Sequence, residues 1–307
     1  MICFSDYSMA RLHDCSMTLE QLRIFVAVAE REHVTAAARA LHVSQSAASA
    51  AIAALEERHD VRLFNRVGRG VELTDAGRIF LREARAVLAR AAAAEQALDE
   101  LRALTRGSLR LVASQTTAAY WLPAILARYR AAYPRIAINL GIGNSDQAAS
   151  RVHDGDADFG VVEGPVDDPA LAVFPIGADR LQLVAATPFA APPNAAWLGR
   201  ARWVMRERGS GTRAALEDAL RGLGVDPAAL DVALVLPSNE SVRTAVEAGA
   251  GVTALSSLVV GPSLAAGALH AAPTDFGARL FYGLRHKERY RSRAADALVE
   301  LIGPWKG

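Results

Sequence analysis

Cysteine occurs only twice in the 307 residues, as Cys3 and Cys15, and both precede Met17. With translation expected to begin at Met17, the working chain carries no thiol, which excludes disulfides, cysteine-held metal and thiol redox sensing. Residues 1–16 are then expected to be a non-native or disordered extension. They hold charged and polar residues where a secretion signal needs an apolar core, and no run of about 18 apolar residues follows. A cytoplasmic, nucleoid-associated protein with no membrane partner is expected. Lysine is nearly missing too: Lys287 and Lys306 are the only ones among 34 basic residues, and the rest are arginine. Catalytic signatures are also lacking. There is no HExxH and no paired-cysteine site, and Gly209-Ser210-Gly211 lacks the flanking residue on each side of serine that a nucleophile elbow needs. Gly141-Ile142-Gly143 opens like a dinucleotide loop but has Asp146 at the third glycine's place. The seven histidines are scattered, with none spaced as a ligand pair. Neither an enzyme nor a metal or cofactor is expected. A net charge of +1 argues against a whole-molecule polyanion binder.

What is present is concentrated near the start. Thr18 with Gln21 three residues on forms a capping box, and Leu22, Phe25, Val26 and Ala29 make one apolar stripe behind it. Thr35 is expected to cap a short helix, Ala36 to Leu41, with His42-Val43 as the turn and Ser44 as the cap of a third helix along Gln45 to Arg58. On that helix Ala48, Ile52 and Leu55 share one face, while Gln45, Ser46, Ser49 and Ala53 share the other. Two helices joined by a tight turn, with short polar residues opening the second, match a recognition helix for the major groove of double-stranded DNA. Gln45 suits adenine, Ser46 and Ser49 suit bases or phosphate, and Ala47 suits a thymine methyl. Leu63 to Thr74 reads as two short strands around a Gly/Arg tip, a wing. From residue 58 to 90 eight arginines face four carboxylates. That local excess makes Arg58, Arg66 and Arg69 candidate phosphate contacts, with Thr35 and Ser44 completing the DNA-binding set.

A long stretch then runs to about Arg106 with Phe80, Ala84, Val87, Ala91, Ala94, Leu98, Leu101 and Thr105 at alternating four- and three-residue spacing, a heptad seam. Roughly 30 residues make a rod of about 45 Å, expected to dimerise the chain. From Gly107 the period changes to strand-helix alternation, the pattern of parallel α/β units. Extended runs are expected at Leu109–Ala113, Ile136–Leu140, Phe159–Val162, Leu181–Ala186, Trp203–Arg206, Val232–Leu236, Val252–Leu255 and Leu280–Leu284. Helices are expected at Ala118–Tyr133, Asp146–His153, Thr212–Gly222, Glu240–Ala248 and Ala294–Ile302. Ser114-Gln115-Thr116-Thr117, Gly143-Asn144, Ser210-Gly211-Thr212-Arg213 and Ser238-Asn239-Glu240-Ser241 each fall where a strand hands over to a helix. Such junctions offer amides and hydroxyls to an anion. Their convergence on one small anionic effector is expected, with Arg213 as the charged clamp. Glu163 and Glu240 oppose a highly charged polyanion, so a small anion or zwitterion is expected.

Leu19 to Phe25, Thr35 to Ala38, Leu41 to Ser49, Leu55-Glu56, Leu63 to Arg66 and Leu73 to Gly77 together make the chain resemble the LysR-type transcriptional regulators. Two positions depart from that pattern: Ser46 stands where proline is usual and Ala50 where Arg or Lys is common. The resemblance implies a mixed fold, α+β and α/β: a winged helix-turn-helix over 17–75, a linker helix over 76–106 and a periplasmic-binding-protein-like effector domain over 107–307. Its two α/β subdomains would comprise about 107–179 with 274–307, and about 180–273, crossing near Asp179 and Thr274, with a co-inducer in the cleft between them. It further implies an inverted-repeat promoter site, a homodimer associating into a homotetramer that bends DNA, and RNA polymerase as a possible partner. Leu122-Pro123, Gly141 to Asn144, Gly155 to Pro165 and Gly209 to Arg213 are similar to the branch that activates sulfite reduction (CysL-like). That likeness implies control of sulfur assimilation or a related anabolic operon, with a sulfur- or phosphate-bearing metabolite as effector. The alternatives are control of carbon-dioxide fixation genes and an effector-blind architectural DNA binder.

Overall fold

A computed structural model describes residues 17–68, 70–100, 107–164 and 166–305. Residues 1–16, Arg69 and the end of the expected seam, Leu101 and Thr105, lie outside the described residues. The chain divides into two compact units, one ending at Ala92 and one beginning at Ala93.

In the first unit α1 (Leu19–Arg31) starts on the expected capping box: Thr18 Oγ1 accepts from the Gln21 amide at 3.1 Å and Gln21 Oε1 from the Thr18 amide at 3.0 Å. The cap of α2 (Val34–Ala40) is His33, not Thr35. His33 has the extended backbone a cap requires, and its Nδ1 accepts from the Ala36 amide, so the helix begins two residues earlier than expected. Ser44 caps α3 (Gln45–His59) as anticipated. Leu22, Phe25 and Val28 of α1 pack on Ala37, Ala38, Ala48, Ile52 and Leu55. Strands β1 (Phe64–Val67) and β2 (Gly70–Leu73) pair antiparallel as the wing. The long helix α4 (Asp75–Glu100) adds Phe80, whose ring lies 4.7 Å from that of Phe25, and the fully buried Ala84 to the same core. Val87 and Leu98 of its stripe are exposed.

The second unit is built on one eight-stranded sheet. On one side β3 (Gly107–Ser114) lies between β4 (Ile136–Gly143) and β5 (Phe159–Glu163), all parallel. On the other, β7 (Arg202–Arg206) is parallel to β8 (Asp231–Leu236) and β9 (Val252–Ser256). Two long strands, β6 (Leu171–Ala185) and β10 (His270–His286), pair antiparallel with each other in the middle and belong to both halves, which makes two subdomains joined by a double crossover. Asp179 and Arg279 face each other in the register of that crossover. Each half follows the period-two rule: Leu111, Val161 and Phe281 enter one core while Val112, Val162 and Leu284 enter another. Trp203 and Val204 divide in the same way in the second half.

The helices are α5 (Leu122–Ala132), α6 (Ser145–Asp154), α7 (Ala195–Arg200), α8 (Gly211–Gly222), α9 (Asn239–Glu247), α10 (Ser257–Ala265) and α11 (Arg293–Ile302). The helix expected to open at Ala118 instead begins as a π-helical turn, Thr117–Trp121, that passes into α5 at Leu122-Pro123. No helix among the described residues is long and apolar enough to cross a membrane.

Candidate DNA interface and effector cleft

On α3, Ala48, Ile52 and Leu55 are buried, while Gln45, Ser46, Ala47, Ser49, Ala50 and Ala53 are exposed. The face no core claims is therefore the expected one. Ser44 Oγ accepts from the Ala47 amide at 3.1 Å and lies 2.9 Å from Ser46 Oγ, so its hydroxyl is committed to the cap. Thr35 is half-buried in the first turn of α2.

The wing is anchored from below. Glu56 Oε1 accepts from the amides of Leu63 and Phe64 at 2.7 and 3.1 Å, and Thr74 Oγ1 donates to Arg62 O at 2.7 Å while accepting from the Gly77 amide at 2.9 Å. Its arginines differ in what they touch. Arg62 pairs with Glu56, Arg78 with Asp75 and Arg85 with Glu30. Arg58 and Arg66 are exposed and, among the described residues, have no ion-pair partner.

In the second unit the four strand-to-helix junctions meet in pairs. Gln115 Nε2 donates to Pro237 O at 2.9 Å, its Oε1 accepts from the Asn239 amide at 3.0 Å, and Asn239 Nδ2 donates to Thr116 Oγ1 at 2.9 Å. Asn239 Oδ1 accepts from the buried Arg206 guanidinium, which also pairs with Glu207. Glu207 Oε1 in turn accepts from Asn144 Nδ2 at 3.3 Å, and the Asp146 amide donates to Gly209 O at 3.2 Å. Burial pushes the Glu207 carboxyl up, but Arg206 outweighs this and holds it below the usual carboxylate range. The junctions thus bond to one another directly, a correction to the expectation that all four surround one ligand.

Several expected effector residues are spent within this framework. Thr117 Oγ1 donates to Ser114 O and Val161 O and lies 2.9 Å from Ser114 Oγ. Ser238 caps α9 through the Ser241 amide, and the two hydroxyls bond to each other. Gly143 packs tightly against Gln147, which closes the Asn144 capping box. Thr212 Oγ1 accepts from Arg279 Nη1 at 3.0 Å. Arg213, expected as the clamp, is tied to Glu217 Oε1 at 2.7 Å and Arg206 O at 3.1 Å, so its charge is already balanced one turn along its own helix.

An open cleft of about 520 Å³ lies between the subdomains, with Glu163, Ser210 and Arg213 of the expected set in its wall, and Ser145, Asp146 and Arg208 beside them. Glu163 joins the cleft to a buried ionic group whose other members, Arg279 and Asp179, the sequence did not mark as site residues. Arg279 donates through Nε and Nη2 to Asp179, and its Nη1 lies 3.9 Å from Glu163 Oε1. Burial works against the guanidinium's charge, but Glu163 and Asp179 outweigh it and raise its pKa above the ordinary value. Arginine and aspartate in a strand read as surface charges in a chain this rich in arginine. Only the pairing of β6 with β10, 100 residues apart, brings them together.

Comparison with known proteins agrees with this architecture. Residues 19–78 match the family model described as a bacterial regulatory helix-turn-helix protein of the lysR family, and residues 102–305 match that of the LysR substrate binding domain. The chain is 35% identical over 293 residues to the uncharacterized HTH-type transcriptional regulator YeiE of Escherichia coli strain K12, covering 94% of this chain and 98% of that one. It is 30% identical over 302 residues to a probable RuBisCO transcriptional regulator of Trichormus variabilis, covering 95% and 90%. The full-length structure of CbnR complexed with its target DNA is similar with a TM-score of 0.65 at 22% identity, over 93% of this chain and 99% of that one. The chain belongs to the LysR family of transcriptional regulators: a ligand-responsive, DNA-binding regulator and not an enzyme.

Proposed function

We propose that a small metabolite held between the two effector subdomains sets how this regulator engages an inverted-repeat promoter site. The observation that carries this reading is the cleft itself: its walls come from different subdomains, and those subdomains are already bridged by single hydrogen bonds such as Asn239 to Thr116. A ligand that contacts both walls favours one angle between them, which is what a differential affinity requires. Gln45, Ser46, Ala47 and Ser49 read bases, and Arg58, Arg66 and Arg69 hold phosphates. The exposed Val87, Ala94 and Leu98 of α4 suit a helix-to-helix dimer contact. Dimers pairing into a tetramer on DNA, contact with RNA polymerase and a cytoplasmic location belong to the same proposal. The controlled operon is an anabolic one, of sulfur assimilation by the likeness of the effector-half motifs. The relative named a probable RuBisCO transcriptional regulator favours a second reading, carbon-dioxide fixation.

Selection of bound duplexes from random-sequence DNA tests the DNA half of this reading. An inverted repeat is expected, and Gln45→Ala or Ser49→Ala should flatten preference at one position per half-site, a loss of about 1–3 kcal/mol of discrimination. Unchanged specificity in both variants refutes the assignment of α3.

A further inference from the structure

The buried group at the crossover carries more acid than base. The side chains of Arg279, Asp179 and Glu163 are only 4, 2 and 3% exposed. Asp179 takes the two-pronged pairing with Arg279, and Thr212 takes the remaining terminal nitrogen. Glu163 stands 3.9 Å from that nitrogen, beyond hydrogen-bond range. One guanidinium therefore faces two carboxylates, and the surplus negative charge falls on Glu163. Its Oε1 is buried and, among the described residues, accepts no hydrogen bond. A desolvated carboxylate in that condition is costly unless something positive reaches it. Glu163 lines the cleft, so a cationic group entering there is placed to do so.

An anion-binding element adjoins it. A Cβ on Gly211 would fall 2.3 Å from the Glu163 carbonyl oxygen, so the first turn of α8 lies directly against residue 163. Ser210 is the N-cap of this twelve-residue helix and only 4% exposed, yet its side chain makes no capping bond. The helix start thus keeps amides and a hydroxyl for a negative group. The rest of the lining is charge-balanced. Arg213 and Arg221 are paired with Glu217 and Asp218, while the Asp146 carboxylate and the exposed Arg208 each lack an ion-pair partner among the described residues.

A cation seat and an anion seat on neighbouring atoms fit a molecule that carries both charges on one carbon. We propose that the cleft binds a free α-amino acid, its ammonium on Glu163 and its carboxylate on the N-terminus of α8. This rests on the reading of the cleft as the effector site. Of the small anion or zwitterion expected from the sequence, it commits to the zwitterion.

The test is calorimetric titration and thermal unfolding of the full chain against three probe sets. These are the twenty standard L-amino acids, their α-hydroxy and amine-free counterparts such as lactate, malate, propionate and succinate, and inorganic sulfate and phosphate. At least one amino acid should raise the unfolding midpoint in a dose-dependent way, with its hydroxy and amine-free counterparts at least about tenfold weaker. Glu163→Gln should weaken that amino acid by about tenfold to a hundredfold, the loss of a charge-assisted hydrogen bond. Ser210→Ala, which removes a hydroxyl without touching the buried ions, should weaken it by a smaller factor, so the idea stays testable if the Glu163 variant folds poorly. Equal binding of the amine-free counterparts, or amino-acid binding that survives both substitutions, overturns the proposal. Silence from all twenty amino acids overturns it too. A response to any other probe would then keep the effector reading of the cleft, and silence from every probe would remove that reading with it.

Discussion

With arginine supplying nearly all the positive charge, one arginine differs from another by what its guanidinium is bonded to. Arg206, Arg213 and Arg279 are consumed by internal partners, whereas Arg58 and Arg66 have no ion-pair partner among the described residues. The histidines sort in the same way. His153 Nδ1 lies 2.8 Å from Asp168 Oδ2, and the His286 ring sits edge-on to His153 at 6.1 Å. Burial lowers the pKa of His286, and Arg289 and His153 push it further down against the weaker pull of Glu288 and Asp168. Burial raises the Asp168 carboxyl, but the Ala170 amide and His153 outweigh it and leave that pKa lowered as well. Both groups are depressed in the folded chain. Each therefore contributes stability that is present above its unfolded pKa and lost as pH falls through the folded one. For His286 that loss begins near 6.5, and for Asp168 near 3.8. Acidification from pH 7 to 5 should lower the unfolding midpoint of the effector unit, and His286→Gln should shrink that drop. A drop of the same size in the variant would place the pH dependence on another group.

At the scale of elements, the wing depends on how closely α4 approaches the strand before it. A Cβ on Gly77 would fall 2.1 Å from Leu63 O, a backbone atom that cannot swing aside, and Thr74 holds this junction from the other side. Gly77→Ala should cost about 1–3 kcal/mol, the range of an overpacked site. The cost should appear in the N-terminal transition of a urea melt and leave the effector transition in place; a variant with both transitions unmoved would show that the junction relaxes freely. Local chemistry of this kind was legible in the sequence. Caps at Thr18 and Ser44 fixed the starts of α1 and α3 because side chain and amide are three residues apart. Threonine is the commoner cap and so points to Thr35, but the backbone at His33 has the required extended form. Only the second halves of β6 and β10 were foreseen. Pro175 and Gly177 interrupt one first half, and Pro273 and Gly277 the other, and those halves are extended because each strand pairs with its distant partner. Pro192-Pro193 hid the start of α7 and Gly261-Pro262 the body of α10. The four strand-to-helix junctions could be located from Ser, Thr and Gly alone. The pairing of Arg279 with Asp179 beside Glu163 could not, since nothing local distinguishes that arginine and aspartate from solvated charges.

The whole molecule converts these local contacts into binding to a promoter, and salt offers a way to count how many DNA-binding units take part. Each phosphate neutralised releases counterions, so log affinity falls with log salt at a slope of about 0.9 per contact on duplex DNA. Arg66, exposed on β1 and without an ion-pair partner among the described residues, is placed to make one such contact per protomer. Arg66→Ala should therefore flatten the slope by about 1.8 if two wings touch the duplex and by about 3.6 if four do. Affinity should fall evenly across operator variants, because a phosphate contact carries no base information. Fluorescence anisotropy from about 50 to 200 mM salt, with the wild-type chain alongside, reads the difference. An unchanged slope would make Arg66 an ordinary solvated cation. Repeating the titration with a saturating effector would separate two mechanisms. A ligand that alters only the angle between subdomains leaves the slope difference intact, whereas one that lifts a pair of wings from the duplex halves it.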